Sequence, residues 1–238
     1  MKNIKIYIGY DSRQDYSEEF SDIVNPPYQV SKYSIQKHNK NVDVEPILLS
    51  ELRRQQIYWR GTDYLSSTEF VYSRFLTPYL NGYKGLALFC DSDFLWQTDI
   101  NELLDYYDSK YSVMCVKHNY TPPESTKMDG KAQTHYPRKN WSSLMMFNCS
   151  HPDVKKLSVE NINTKDAKWL HRFEWTSDEC VGEIPATFNW LEGWYNDSVD
   201  PKAIHYTRGG PWHMTWNGHY KDKWVQTYNE LVKEKSNG

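Results

Sequence analysis

Gly85-Leu-Ala-Leu-Phe-Cys90, followed at once by Asp91-Ser92-Asp93, is the stretch on which the fold turns. A short, continuously apolar run that breaks off into carboxylates is the pattern of a strand covered on both faces, ending at the edge of a sheet. Upstream, Ile4-Lys5-Ile6-Tyr7-Ile8 alternates apolar and polar residues and runs into Gly9-Tyr10-Asp11-Ser12, a strand entering a loop. Between them, Asn25-Pro26-Pro27 starts a helix reaching about His38, and Val42 to Leu49 reads as a second strand. Ser66-Ser-Thr-Glu69 has capping-box spacing, and Phe70, Val71, Phe75 and Leu76 recur at helical intervals, so a helix is expected over roughly 67–80. Downstream, Asp99 and Glu102 open another helix, Tyr111 to Val116 and Leu144 to Phe147 read as strands, and Asp222 to Lys235 as a terminal helix. Residues 118–140, rich in Pro, Thr, Lys and Gly, read as a long surface loop. Strands alternating with helices imply an α/β fold with a central, mostly parallel twisted sheet flanked by helices. With no repeat and no linker, 1–238 reads as one domain, 1–116 forming one half and 117–238 the other.

Composition narrows the function. The 238 residues carry 28 Lys+Arg against 31 Asp+Glu, a net charge of -3, which gives no uniform positive field for nucleic acid or an anionic membrane. Mean hydropathy is -0.82, and no apolar run approaches the roughly 18 residues of a membrane span. No secretory signal pattern is present, so the expected setting is cytoplasmic, and the sequons at Asn119, Asn140, Asn148 and Asn196 read as chance matches. Cys90, Cys115, Cys149 and Cys180 share no C-x-x-C spacing and read as reduced thiols. Ten Trp and 19 Tyr exceed what a core of this size needs, and exposed aromatic faces stack on sugars and bases.

The chemistry is expected where the strands end, because ligands of open α/β sheets bind at the carboxyl edge. Asp91 and Asp93, two residues apart in extended chain, point the same way and can converge on one divalent cation. Two carboxylates delivered by a buried strand are costly unless neutralised, and a cation held by aspartates also binds phosphate oxygens. Near the C-terminus, Ala203-Ile204-His205-Tyr206 precedes Thr207-Arg208-Gly209-Gly210-Pro211-Trp212. There His205 is placed to complete the coordination, Arg208 to neutralise phosphate, and the Gly209-Gly210 pair to let backbone N–H groups approach it.

Ile6-Tyr7-Ile8-Gly9-Tyr10-Asp11, an aromatic residue and Arg74 on the helix before the third strand, Phe89-Cys90-Asp91-Ser92-Asp93, and the late His-Tyr and Gly-Pro-Trp together resemble metal-dependent glycosyltransferases of the GT-A fold. The resemblance is nearest to the glycogenin-like and galactosyltransferase-like retaining family and spans residues 4–212. It implies Mn²⁺ or Mg²⁺ held by Asp91, Asp93 and His205, with Asp93 also counted as catalytic. It places Gly9, Tyr10 and Asp11 at base and ribose, Tyr72 and Arg74 toward the phosphates, and Trp212 beside the nucleotide. Ser142 and Ser143, in Asn140-Trp-Ser-Ser-Leu-Met-Met-Phe-Asn148, would face the donor sugar. The segments 175–179 and 186–190 resemble the region beneath the anomeric carbon, where Asp178 takes the catalytic place. The implied substrates are a nucleoside diphosphate sugar, expected to be UDP-linked, and a glycan or other hydroxyl acceptor. Trp190, Trp194, Trp212, His213 and Trp216 are candidates for the acceptor side. The sequence departs from the family in carrying Gly210 where Lys precedes Pro-Trp, and Ser-Ser at the sugar floor.

Two other readings fit less well. Nucleotidyltransferases open with a Gly-rich basic loop, whereas this one is Gly-Tyr-Asp-Ser-Arg; a carbohydrate-binding module would be all-β and need no carboxylate pair at a strand end. Aspartate-based phosphatases carry D-x-D after their first strand, not at residue 91.

Overall fold

The computed structural model describes residues 4–61, 66–119, 138–195 and 199–237. The strands are β1 (Ile4–Gly9), β2 (Asp43–Ile47), β3 (Leu86–Cys90), β4 (Phe94–Trp96), β5 (Val113–Cys115), β6 (Leu144–Asn148), β7 (Val181–Glu183), β8 (Trp190–Leu191) and β9 (Ala203–His205). The helices are α1 (Pro26–His38), α2 (Leu49–Arg54), α3 (Thr77–Leu80), α4 (Val159–Thr164), α5 (Ala167–His171) and α6 (Lys221–Asn237). A six-stranded sheet runs in the order β2-β1-β3-β6-β5-β7. In it β1 is parallel to β2 and β3, β6 is antiparallel to β3 and β5, and β5 is parallel to β7. The α/β fold with a mostly parallel sheet is therefore present. A three-stranded sheet, β4-β9-β8, stands beside it.

The burial of β3 explains its sequence. All five of its residues are buried, and they alternate between two cores. Ala87 and Phe89 join Tyr7, Phe75, Phe147 and Trp175, whereas Leu88 and Cys90 join Ile6, Ile8 and Met146. Each such side chain contributes about 1.5–3 kcal/mol by leaving water. A third aromatic core, with Phe20, Tyr206, Trp212, Trp216 and Trp224, anchors α6. Cys90, Cys115 and Cys149 are buried free thiols, and Cys180 is partly exposed. No helix among the described residues is long and apolar enough to cross a membrane.

Helix α1 begins where Asn25 accepts the Tyr28 N–H and prolines fill the first turn. The helix expected over 67–80 is shorter: residues 66–72 are turns, a 3₁₀ turn covers Ser73–Leu76, and α3 follows. Tertiary bonds took the capping groups. Glu69 accepts the Ser12 N–H at 2.8 Å and its hydroxyl at 2.9 Å, while Arg13 donates to the carbonyls of Ser66 and Ser67. The expected loop at 118–140 falls largely outside the described residues.

The register Ile8↔Cys90 puts the end of β1 beside the end of β3, with Phe70 packed over Gly9. A Cβ at Gly9 would lie 2.5 Å from the Phe70 ring. Gly9→Ala should therefore cost about 1–3 kcal/mol by overpacking; urea denaturation checks this, and unchanged stability would refute the packing role.

Candidate active site

Asp91-Ser-Asp93 is the crossing between the two sheets, and both ends of the crossing are fastened by backbone bonds. The Asp91 N–H donates to the Ser143 carbonyl at 3.0 Å, extending the β3–β6 ladder, and the Tyr206 N–H donates to the Asp93 carbonyl at 2.9 Å beside β9. Ser92 is buried between them, and the two aspartates share the opposite side. Antiparallel pairing of β4 with β9 sets Phe94 opposite His205, whose ring stacks on the phenyl ring at 4.4 Å. Asp91, Asp93 and His205 thus offer two carboxylate oxygens and an imidazole nitrogen, all within 4.8 Å of one another. Two hard anionic oxygens and one borderline nitrogen suit a divalent cation.

Charge at this point is balanced in part by the protein. Arg74 Nη1 lies 2.8 Å from Asp91 Oδ1, with 6% and 13% of the two side chains exposed. The guanidinium also donates to the Ser142 carbonyl at 3.0 Å and stands 5.2 Å from the Phe70 and Phe89 ring centres. Asp93 Oδ1 faces His205 Nε2 at 3.3 Å. On its other side the His205 ring meets Asn189, with Nδ1 and Oδ1 2.8 Å apart.

A cleft of about 440 Å³ opens over this group. Of the residues expected at a site, Arg74, Asp91, Asp93, Ser142, Ser143 and His205 line it together. Ser67, Thr68 and Val71 form one wall; Lys139, Asn140, Lys168 and Arg172 bring polar and cationic groups from the other side. None of these was read as a site residue, although the Ser67-Thr68 pair, Val71 and the Asn140 turn stood within motifs already singled out.

The remaining candidates sit elsewhere. Tyr10 donates to Asp15 at 2.5 Å and packs edge-on against Tyr28. Asp11 is buried, caps the 3₁₀ turn Ser12–Gln14 and is gripped by Arg13 through bonds of 2.6 and 2.8 Å. Tyr72 lies under Arg60, 3.9 Å from ring centre to guanidinium carbon. Arg208 stacks over Trp194 and lies close to Gly193. Gly209 takes φ 106°, a turn conformation, and Gly210 leaves room for the ring of Trp212. Trp212 and Trp216 are buried against Tyr206. Asp178, its side chain 77% exposed, pairs with Arg138 at 2.5 Å, next to the cleft residue Lys139.

The chain is 48% identical to Protein CDI of Arabidopsis thaliana over 241 residues, 98% of this chain and 89% of the relative. The chain belongs to the Protein CDI family. No protein-family model matches it. Among solved structures, the bifunctional glycosyltransferase WbbM superposes with a TM-score of 0.61 at 17% identity, over 98% of this chain and 51% of WbbM. GlyE of Streptococcus pneumoniae gives 0.58 at 13%, with 63% of its chain covered. This member of the Protein CDI family therefore spans about half of WbbM and less than two thirds of GlyE. The galactosyltransferase LgtC, solved with donor and acceptor sugar analogs, gives 0.53 at 12% identity over 95% of this chain and 96% of its own. Its fold is that of the GT-A glycosyltransferases.

His171 is a buried titratable group of the cleft that the sequence did not announce. It bonds Ser142 Oγ through Nδ1 at 2.8 Å and packs edge-on with Phe75. Burial first, and the neighbouring Arg74 second, push its pKa down from 6.5 to about 3. The unfolded chain takes up this proton near 6.5 and the folded chain resists it. The stability contribution is thus whole above that pH and drains at about 1.4 kcal/mol per pH unit as pH falls toward 3. Denaturation curves between pH 7 and 4 should show a shallower pH slope for His171→Gln than for wild type; equal slopes would contradict the assignment.

Proposed function

We propose that the protein is a glycosyltransferase that moves a sugar from a nucleoside diphosphate donor, UDP-linked by preference, to a hydroxyl acceptor. The observation that carries this reading is the Asp91, Asp93 and His205 group on the floor of the cleft, at the strand edge of a fold shared with glycosyltransferases. With the ring proton on Nδ1, Asp93 Oδ1 and His205 Nε2, 3.3 Å apart, form a donor set that a divalent cation satisfies. When bound, Mn²⁺ or Mg²⁺ supplies Lewis-acid stabilisation of the charge that develops on the departing diphosphate.

The chain's own residues do the positioning. Arg74 fixes Asp91 and adds positive charge behind it. Lys139, Lys168 and Arg172 draw the anionic donor into the cleft, and Ser142 with Ser143 forms its floor. The Gly9-Tyr10-Asp11 loop, alongside β3, is the proposed place of base and ribose, and Arg208 with Gly209, Gly210 and Trp212 belongs to the proposed C-terminal border of the nucleotide site. Among the described residues, Asp91 and Asp93 are the only carboxylates lining the cleft. That favours retention by attack of the acceptor on the leaving group's face, because an inverting transfer needs a further base. It also disfavours a covalent intermediate on Asp178, whose carboxylate faces solvent and is bound to Arg138. The reading takes 1–238 as one catalytic unit working in the cytoplasm, where its four thiols stay reduced.

Thermal shift with UDP, with and without Mn²⁺, tests it. A ligand at 100 times its Kd adds about 2.7 kcal/mol, several degrees in Tm. Wild type should respond more strongly to UDP with Mn²⁺ than to either alone, and Asp93→Asn should lose the part that Mn²⁺ adds. A metal-independent shift that survives in Asp93→Asn would overturn the metal reading.

A further inference from the structure

We infer that Asn189 is a positioning residue that holds the neutral His205 ring in its Nδ1–H form and so turns the Nε2 lone pair toward Asp93. The inference rests on the metal reading of the site and concerns a residue outside the cation's own ligands.

The argument starts from a backbone carbonyl, which only accepts. Asn140, at φ 62°, turns its C=O toward Ser143, and the Ser143 hydroxyl donates to it at 2.6 Å. That uses the single hydroxyl proton, so Ser143 Oγ must accept from its other neighbour, the Asn189 Nδ2 at 2.9 Å. With its NH₂ committed to Ser143, Asn189 presents Oδ1 to His205 Nδ1 at 2.8 Å, and an oxygen there requires the ring proton on Nδ1. In the uncharged ring Nε2 is then the nitrogen that carries the lone pair, 3.3 Å from Asp93 Oδ1. Turning the amide over would bring Oδ1 to Ser143 and force its hydroxyl off the Asn140 carbonyl, giving up the shortest bond of the relay.

Every member of the relay is placed to keep it. Asn189 is fully buried, His205 and Ser143 nearly so, and the ring is clamped flat on Phe94. Asn189 ends the 3₁₀ turn Ala186–Asn189 and immediately precedes β8, which pairs with β9. Outer partners of this kind fix the orientation of a ligating imidazole, and their loss lowers metal affinity by about 10–100-fold. The same relay ties the sugar-floor turn at Ser143 to the ring, so the two parts of the cleft share one hydrogen-bond direction.

The test combines imidazole ¹⁵N spectra of the metal-free protein, in alkaline buffer where imidazoles are uncharged, with Mn²⁺ titration calorimetry. Wild type should show His205 protonated at Nδ1. Asn189→Leu should weaken Mn²⁺ at least about tenfold and lose the Nδ1–H signature. Asn189→Asp, which still offers an oxygen to Nδ1, should restore both. Ser143→Ala, losing one hydroxyl, should give a mixture of ring forms; it decides the matter if Asn189→Leu does not fold. A wild-type ring protonated at Nε2, or Asn189→Leu binding Mn²⁺ as wild type does, would overturn the inference. Wild type that binds no Mn²⁺ would bring down the metal reading itself, and the ring spectrum separates that failure from a wrong hydrogen-bond direction.

Discussion

A buried strand that ends in carboxylates needs a counter-charge, and the Arg74 to Asp91 pair meets that need. Arg74 is held between the rings of Phe70 and Phe89, and its other bonds run to the carbonyls of Phe70 and Ser142. One side chain thereby joins the wall before β3 to the turn before β6. Asp91 itself lines the cleft. Asp93, two residues on, faces a stacked imidazole. The pocket thus has one carboxylate neutralised from behind by the protein and one turned toward a ring nitrogen.

The two sheets meet at this point because β3 and β4 are separated by only Asp91, Ser92 and Asp93. Pairing with β6 on one side and with β9 on the other sets the backbone of the crossing, so the carboxylates need no loop of their own to hold them. Elements far apart in the chain, from Phe70 to Tyr206, converge on three residues.

Much of this was legible in the sequence. The apolar run Leu86–Cys90 and the alternation of Ile4–Ile8 announce central strands, Asn25-Pro-Pro announces α1, and the D-x-D spacing puts two acids on one side. Arg74, the serine pair and His205, singled out in the sequence, line one cleft. What failed did so for physical reasons. Glu69 has the spacing of a cap, yet Ser12 offers it two donors from a distant loop, a contact no local pattern contains. Gly9 and Gly210 each make room for an aromatic ring, Phe70 and Trp212, a close approach that no local pattern announces. β8 has two residues and β4 and β7 three each, too few for a period to register. The cationic residues of the cleft come from short elements and turns whose sequences carry no motif.

The crossing between the sheets also has a consequence for how the site comes into being. Asp91 and Asp93 belong to the first half of the chain, and His205 follows only after nearly half the total length has been added. During synthesis the ribosome releases the two acids, with Arg74 already available to shield one of them, well before β9 exists to bring the imidazole. The nascent protein therefore passes through a stage in which the acids are exposed without their third partner, and the donor set is assembled only when the C-terminal segment docks. Completion of the pocket therefore waits for β9, which follows the two acids by nearly half the length of the sequence.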